Sequence, residues 1–244
     1  MDMARLTVSG RPGSIPRSNT VFERRTNPGT LTLMTASRSK PLQPPKDLRR
    51  ALLARHFTET VENLLEGGGS YSDLSVERLI TSVDISRSTF YSYFDDKSGL
   101  LRAMGEDVTT DLAGAGSHWF ELGKEAGKAD LHDALRPLFD TYRRHQMVLR
   151  AITEAASYDA GIRQLHLALV ERASTGVQSH IETQQKSKTV APELEASRTA
   201  TWLVWMLERG LYQLVAPADE AEVDKLLDSA TELIWRVLYE GHRS

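Results

Sequence analysis

Between Ser86 and Lys97 the chain sets one guanidinium (Arg87), one ammonium (Lys97) and six hydroxyls: Ser86, Ser88, Thr89, Tyr91, Ser92 and Tyr93. No histidine or cysteine lies among them. Such a set can donate hydrogen bonds to phosphate oxygens and base edges but is poorly equipped to break bonds. Arg87 alone carries the planar fork that matches guanine in a major groove. Elsewhere the residues are no more catalytic. The seven histidines (His56, His118, His132, His145, His166, His180, His242) show no metal-ligand spacing, and there is no nucleophile elbow, P-loop or GxGxxG. With no cysteine, disulfides, thiolate nucleophiles, zinc fingers and iron–sulfur clusters are excluded, as suits a reducing cytosol.

The surrounding residues say how this donor set is held. Phe90 and Phe94 lie four apart and should face a core. Ser88, Tyr91 and Ser92 then point outward, with Arg87 and Thr89 in the first exposed turn. Ser86 is placed to cap this short helix, with Ile85 before the cap and Phe90 at the fourth helical position. The same device stands upstream: Ser75 caps a second short helix, flanked by Leu74 and Leu79. Val83-Asp84-Ile85 is the turn between them. Two short helices joined by so tight a turn form a helix-turn-helix, whose second helix enters the major groove. Lys97 opens the next helix behind a plausible Asp96 cap, where its ammonium and free backbone N–H groups suit a phosphate.

The rest of the chain reads as helix. Residues 1–45 are broken by six prolines and carry mainly positive charge: Arg5, Arg11, Arg17, Arg24, Arg25, Arg38 and Lys40 against Asp2 and Glu23. That segment is expected to be disordered. It can be a solvated linker, the product of a start upstream of Met34, or a basic arm that gains affinity by counterion release. A first helix is expected near 47–66, with Leu48, Leu52, Phe57, Val61, Leu64 and Leu65 as its apolar stripe and Gly67-Gly68-Gly69 as its stop. Six longer helices follow near 97–121, 129–144, 146–157, 159–185, 193–215 and 219–240, and no strand is credible. Net charge is −3, so attraction to nucleic acid must be local. No apolar run approaches the roughly 20 residues of a membrane span, and no signal-peptide pattern opens the chain, so a cytoplasmic protein without membrane partners is expected.

The stretch Ile85-Ser86-Arg87-Ser88-Thr89-Phe90-Tyr91-Ser92-Tyr93-Phe94-Asp95-Asp96-Lys97, followed by Leu100-Leu101, resembles the recognition-helix pattern of the TetR family of bacterial regulators. Trp205-Met206-Leu207-Glu208-Arg209-Gly210-Leu211-Tyr212 and the ending Leu233 to Gly241 are similar to the actinobacterial ethionamide-activation repressor type. The resemblance implies an all-α fold of about nine helices, with a helix-turn-helix DNA-binding domain at 46–97 and a ligand-binding and dimerisation domain at 98–244. It implies DNA contacts from Ser75, Arg87, Ser88, Thr89, Tyr91, Tyr93 and Lys97, with Tyr91 and Lys97 on phosphates. The chain departs from the pattern where Ile80 replaces a small residue and Asp84 the turn glycine. Asp tolerates the left-handed backbone better than most residues, so the turn can survive. Short Ser88 and Ser92 point to readout through DNA shape and phosphate positioning, with Arg87 as the main direct reader.

A regulator of this class needs a cavity and a partner. Trp119, Leu131, Leu138, Tyr142 and Met147 are candidate cavity walls, with Leu165, Leu169, Trp202, Met206 and Leu207 from later helices; each also suits ordinary core. Val204 and Leu207 stand where the subfamily often has asparagine, which favours an apolar ligand. Leu211, Leu226, Leu233, Trp235 and Val237 are candidates for a two-fold homodimer interface, which would space two recognition helices one DNA turn apart. The expected activity is a repressor, released from a pseudo-palindromic operator by a small apolar ligand, with no cofactor and no catalysis. An enzyme or a purely structural helical adaptor are the competing classes.

Overall fold

The structure is a computed structural model that describes residues 45–241. The basic segment expected at 1–45 therefore lies outside the described residues except for Pro45, and so does His242. The described chain is all-α. Helix α1 spans Lys46–Leu65, α2 Val76–Ser82, α3 Arg87–Tyr93, α4 Lys97–Phe120, α5 Lys128–Arg144, α6 Gln146–Ala155, α7 Ala160–Lys186, α8 Ala196–Gly210 and α9 Glu220–Leu238. A single 3₁₀ turn, Tyr71–Asp73, precedes α2, and a π-helical turn, Leu211–Val215, prolongs α8.

Side-chain caps set the starts. Ser75, Ser86 and Asp96 accept the N–H of Arg78 (3.1 Å), Thr89 (3.0 Å) and Gly99 (2.6 Å). Asp159 and Asp219 do the same for α7 and α9. Each cap satisfies a backbone donor that the helix cannot, typically worth ~1 kcal/mol. Asp84 takes the left-handed conformation (φ 51°) at the turn between α2 and α3, where glycine is usual.

Two buried clusters order the bundle. In the first, Phe57 of α1 packs edge-on against Phe90 and Phe94, with ring centroids 6.1 and 5.9 Å apart. All three rings are buried, and truncating any one to alanine removes about 3–5 kcal/mol. This core does not stop at Lys97: it takes in Leu100, Leu101 and Met104 of α4, Val148 and Ile152 of α6, and Ile162 of α7. α4 meets α6 and α7 at Gly105, where a Cβ would lie 2.8 Å from Leu165 Cδ2 and 2.9 Å from Ile152 Cδ1. The second cluster joins α4, α5, α7, α8 and α9 around Trp119, Phe139, Leu203, Ile234 and Tyr239. Inside it the Tyr239 hydroxyl accepts from Trp119 Nε1 (2.9 Å) and is hydrogen-bonded to His180 Nε2 (2.8 Å).

The stripe expected for α1 is corrected at its start. Leu48 and Leu52 are exposed, and Ala54 and Thr58 take the inward positions with Phe57, Val61 and Leu65. The buried set keeps the 3–4 spacing, and the two leucines lie ahead of the turn where α1 meets the core.

Candidate nucleic-acid interface and effector cavity

The short helix α3 rests on Phe90 and presents Arg87, Ser88, Tyr91 and Ser92 to solvent, with Thr89 and Tyr93 half-buried. The serines are tied down locally. Ser86 Oγ lies 2.9 Å from Ser88 Oγ and 2.8 Å from Thr89 Oγ1, and Ser92 Oγ donates to the Thr89 carbonyl at 2.7 Å. Arg87 reaches back to α2, donating to Glu77 Oε1 at 2.5 Å, and its guanidinium sits 5.6 Å from the Tyr91 ring centre. Ser75, at the mouth of α2, is exposed. The two helix starts and the outward side of α3 thus form one polar face.

Lys97 is placed differently from the phosphate contact expected of it. Its ammonium donates to the carbonyls of Tyr71 (3.0 Å), Ser72 (2.7 Å) and Leu74 (2.9 Å), using all three of its protons. Its Nζ lies 5.2 Å from the Tyr71 ring centre, and the Tyr71 hydroxyl donates to the Lys97 carbonyl at 2.9 Å. Desolvation lowers the Lys97 pKa from its ordinary value, partly offset by the charge of Asp73. Lys97 therefore pins the 3₁₀ turn that leads into α2 to the first residue of α4. Neither the turn nor this clasp was foreseen; the S-x-x-D of Ser70 and Asp73, a reciprocal cap in the structure, was the available signal.

A second junction ties α1 to α6. His145 at the α6 cap position supplies no side-chain bond, and Glu62 of α1 accepts the N–H groups of Met147 (3.0 Å) and Val148 (2.9 Å) instead. Burial pushes the Glu62 carboxyl up to about 7, outweighing the two backbone bonds and the Arg150 charge that act downward.

Farther along, a cavity of about 260 Å³ lies among α4, α5, α6, α7 and α8. Of the candidate walls, Trp119, Leu138, Tyr142, Leu169 and Leu207 line it, with Val204. Five candidates do not. Leu131 is buried in the second core away from the cavity, Met147 packs on the first core, and Leu165 is held against Gly105. Trp202 and Met206 are on the outside of α8, Trp202 with 77% of its surface exposed. On α8 the inward positions are Ala200, Leu203, Val204 and Leu207, which leaves Trp202 and Met206 on the opposite stripe. Leu211, expected at a dimer surface, is buried and lines the cavity one turn after Leu207. The π turn then hands the next inward position to Val215 and leaves Leu214 exposed. Of the other interface candidates, Leu233 and Val237 are exposed on α9, whereas Leu226 and Trp235 are half-buried against the second core. The cavity also holds polar residues that were not anticipated: Thr109, Thr153, His166, Arg172 and Glu208.

Residues 64–104 match the sequence profile of the bacterial regulatory proteins of the tetR family, and residues 131–240 that of the C-terminal domain of the transcriptional regulator EthR. The HTH-type transcriptional regulator EthR of Mycolicibacterium smegmatis is 30% identical over 179 residues, spanning 71% of this chain and 76% of that protein. The chain belongs to the TetR family. EthR of Mycobacterium tuberculosis H37Rv is 26% identical over 217 residues, covering 86% of this chain and 100% of that protein.

The TetR fold is equally clear in three dimensions. A TetR-family transcriptional regulator from Pectobacterium atrosepticum superposes with a TM-score of 0.61 at 19% identity, covering 81% of this chain and 97% of that one. The TetR-family regulator PfmR from Thermus thermophilus gives 0.58 at 17% identity, covering 75% and 97%. Like its relatives, then, this TetR-family chain is a transcriptional regulator. No helix among the described residues is long and apolar enough to cross a membrane.

Proposed function

We propose that the protein is a cytoplasmic, ligand-responsive repressor that binds a pseudo-palindromic operator as a homodimer and leaves it when a small, largely apolar ligand fills the cavity. The observation that carries this reading is the course of α4. Its first residue clasps the lead-in to α2 through Lys97, and its last three turns, from Thr109 to Phe120, wall the cavity. A ligand that moved the distal wall would bear on the helix that holds the DNA-facing pair in place.

In this account residues 46–97 form the DNA-binding domain, and residues 98–244 sense the ligand and dimerise, although the first core is shared across that boundary. Ser75, Arg87, Ser88, Thr89, Tyr91 and Tyr93 face the DNA. Arg87 reads a base, Tyr91 holds a phosphate, and Lys97 acts by fixing the turn. The exposed apolar residues Trp202, Met206 and Leu214 of the α8 segment, with Leu233 and Val237 of α9, form the dimer surface. These five large apolar side chains are left in water in the single chain, and a partner copy would cover them. The basic residues of 1–44 add phosphate contacts.

The test is a gel-shift titration against the DNA flanking the protein's own gene, with scrambled DNA alongside and at two salt concentrations. Selective, salt-sensitive binding supports the reading; a folded, ligand-stripped dimer that discriminates no DNA segment overturns it.

A further inference from the structure

Several polar groups that line the cavity have already spent their protons, and Glu208 brings an acceptor. Thr109 Oγ1 donates to the Gly105 carbonyl (2.5 Å) and Thr153 Oγ1 to the Leu149 carbonyl (3.1 Å), so each hydroxyl spends its proton on its own helix. Trp119 Nε1 is spent on Tyr239. Glu208 Oε1 lies 3.6 Å from His166 Nε2, beyond hydrogen-bond range. Its Oε2 is shielded from solvent and accepts no hydrogen bond among the described residues; the nearest cationic atom is Arg209 Nε at 3.8 Å. That guanidinium is half-exposed and also sits over the Tyr212 ring, at 5.7 Å. Arg172, the other cation at the site, is exposed on α7. The donors that remain at the site are the Tyr142 hydroxyl, kept protonated by burial and by the Glu208 charge, the His166 ring, and the Arg172 guanidinium at the exposed edge.

A shielded carboxylate oxygen without a donor is costly, and the cost is relieved by any ligand that brings one. The walls around it are apolar and aromatic, with Trp119, Phe120 and Tyr142 offering ring faces. The volume is just below the roughly 300–1,000 Å³ of drug-sized sites. On the reading that this cavity binds the effector, we propose that the effector is a protonated amine on an apolar body, its ammonium seated against Glu208. Val204 and Leu207 supply the apolar wall, and the one strong polar contact comes from the residue after Leu207.

The experiment is calorimetric titration of the full chain with three compounds of like shape: phenylbutylamine, phenylbutanol and phenylbutyrate. The amine is expected to bind about tenfold or more tighter than the alcohol, as a hydrogen bond to a charged group implies, and the acid weakest. Glu208→Gln should bring the amine to the level of the alcohol and leave the alcohol unchanged. The wild-type comparison does not depend on the variant's folding. An alcohol or acid that matches the amine in wild type, or an amine preference that survives Glu208→Gln, overturns the proposal. Leu169→Trp, which fills the cavity, separates the two readings. If it abolishes binding of compounds that wild type does not rank by charge, the cavity stands and the amine assignment falls. If no compound binds wild type, or Leu169→Trp changes nothing, both fall.

Discussion

Arg87 and Glu77 are joined across the helix-turn-helix, with Arg87 Nη1 donating to Glu77 Oε1 at 2.5 Å and both side chains about two-thirds exposed. An exposed pair of this kind adds only ~0–1 kcal/mol to stability, so its consequence lies in binding. On the proposed reading, the carboxylate holds the guanidinium assigned to base readout and adds negative charge to the face assigned to DNA. Glu77→Gln should therefore leave the melting temperature nearly unchanged, strengthen binding to operator and scrambled DNA alike, and reduce the ratio between them. Gel-shift titrations on both DNAs check this; an unchanged ratio would show that Glu77 does not orient Arg87.

Lys97 offers a test in which stability and binding fall together. Lys97→Met leaves three carbonyls without their charged donor, a loss of about 2 kcal/mol or more. Lys97→Arg should rescue little, because a planar fork cannot converge on three carbonyls as an ammonium does. Urea unfolding measures the first effect and operator titration the second. A Lys97→Met variant of wild-type stability with weakened DNA binding would instead restore the direct phosphate role.

Glu62 gives the stability a pH dependence of defined sign. Its carboxyl titrates near 4.5 when exposed and near 7 in the fold. Between these values the unfolded chain has released a proton that the folded chain still holds, so raising the pH through that window favours unfolding. The stabilisation is present below about 4.5 and lost once the pH passes about 7. Glu62→Gln should flatten that part of the profile, measured as unfolding free energy at stepped pH; a profile unchanged by the substitution would remove Glu62 as its source.

The proposed dimer surface can be broken without touching the cavity. Trp202→Glu and Leu233→Glu put charge on exposed apolar positions. Each should leave the helical content intact, shift the sedimentation coefficient to that of a monomer, and weaken operator binding, because one recognition helix then works alone. A variant that still sediments as a dimer would move the interface elsewhere.

The helix-turn-helix pair was legible because its determinants are local. Ser75, Ser86 and Asp96 cap helices through backbone groups three residues on, and Phe90 and Phe94 show their side by spacing alone. The α8 segment was harder to read. Its apolar residues go round the helix, so periodicity could not tell the inward set, Val204, Leu207 and Leu211, from the outward set, Trp202 and Met206. Glu208 went unnoticed because a Glu-Arg pair closing an apolar run reads as the edge of a solvated face. The Lys97 clasp was not legible because its acceptors lie more than twenty residues upstream, a tertiary relationship without a sequence period.

The most direct measurement is the affinity of the ligand-stripped, full-length protein for the DNA flanking its gene, compared with scrambled DNA and with Arg87→Ala. The account predicts selective binding that weakens with salt, loses most of its selectivity in the variant by about 1–3 kcal/mol, and is reversed by a cavity ligand. Full discrimination by Arg87→Ala, or equal binding to both DNAs by the wild type, would contradict it.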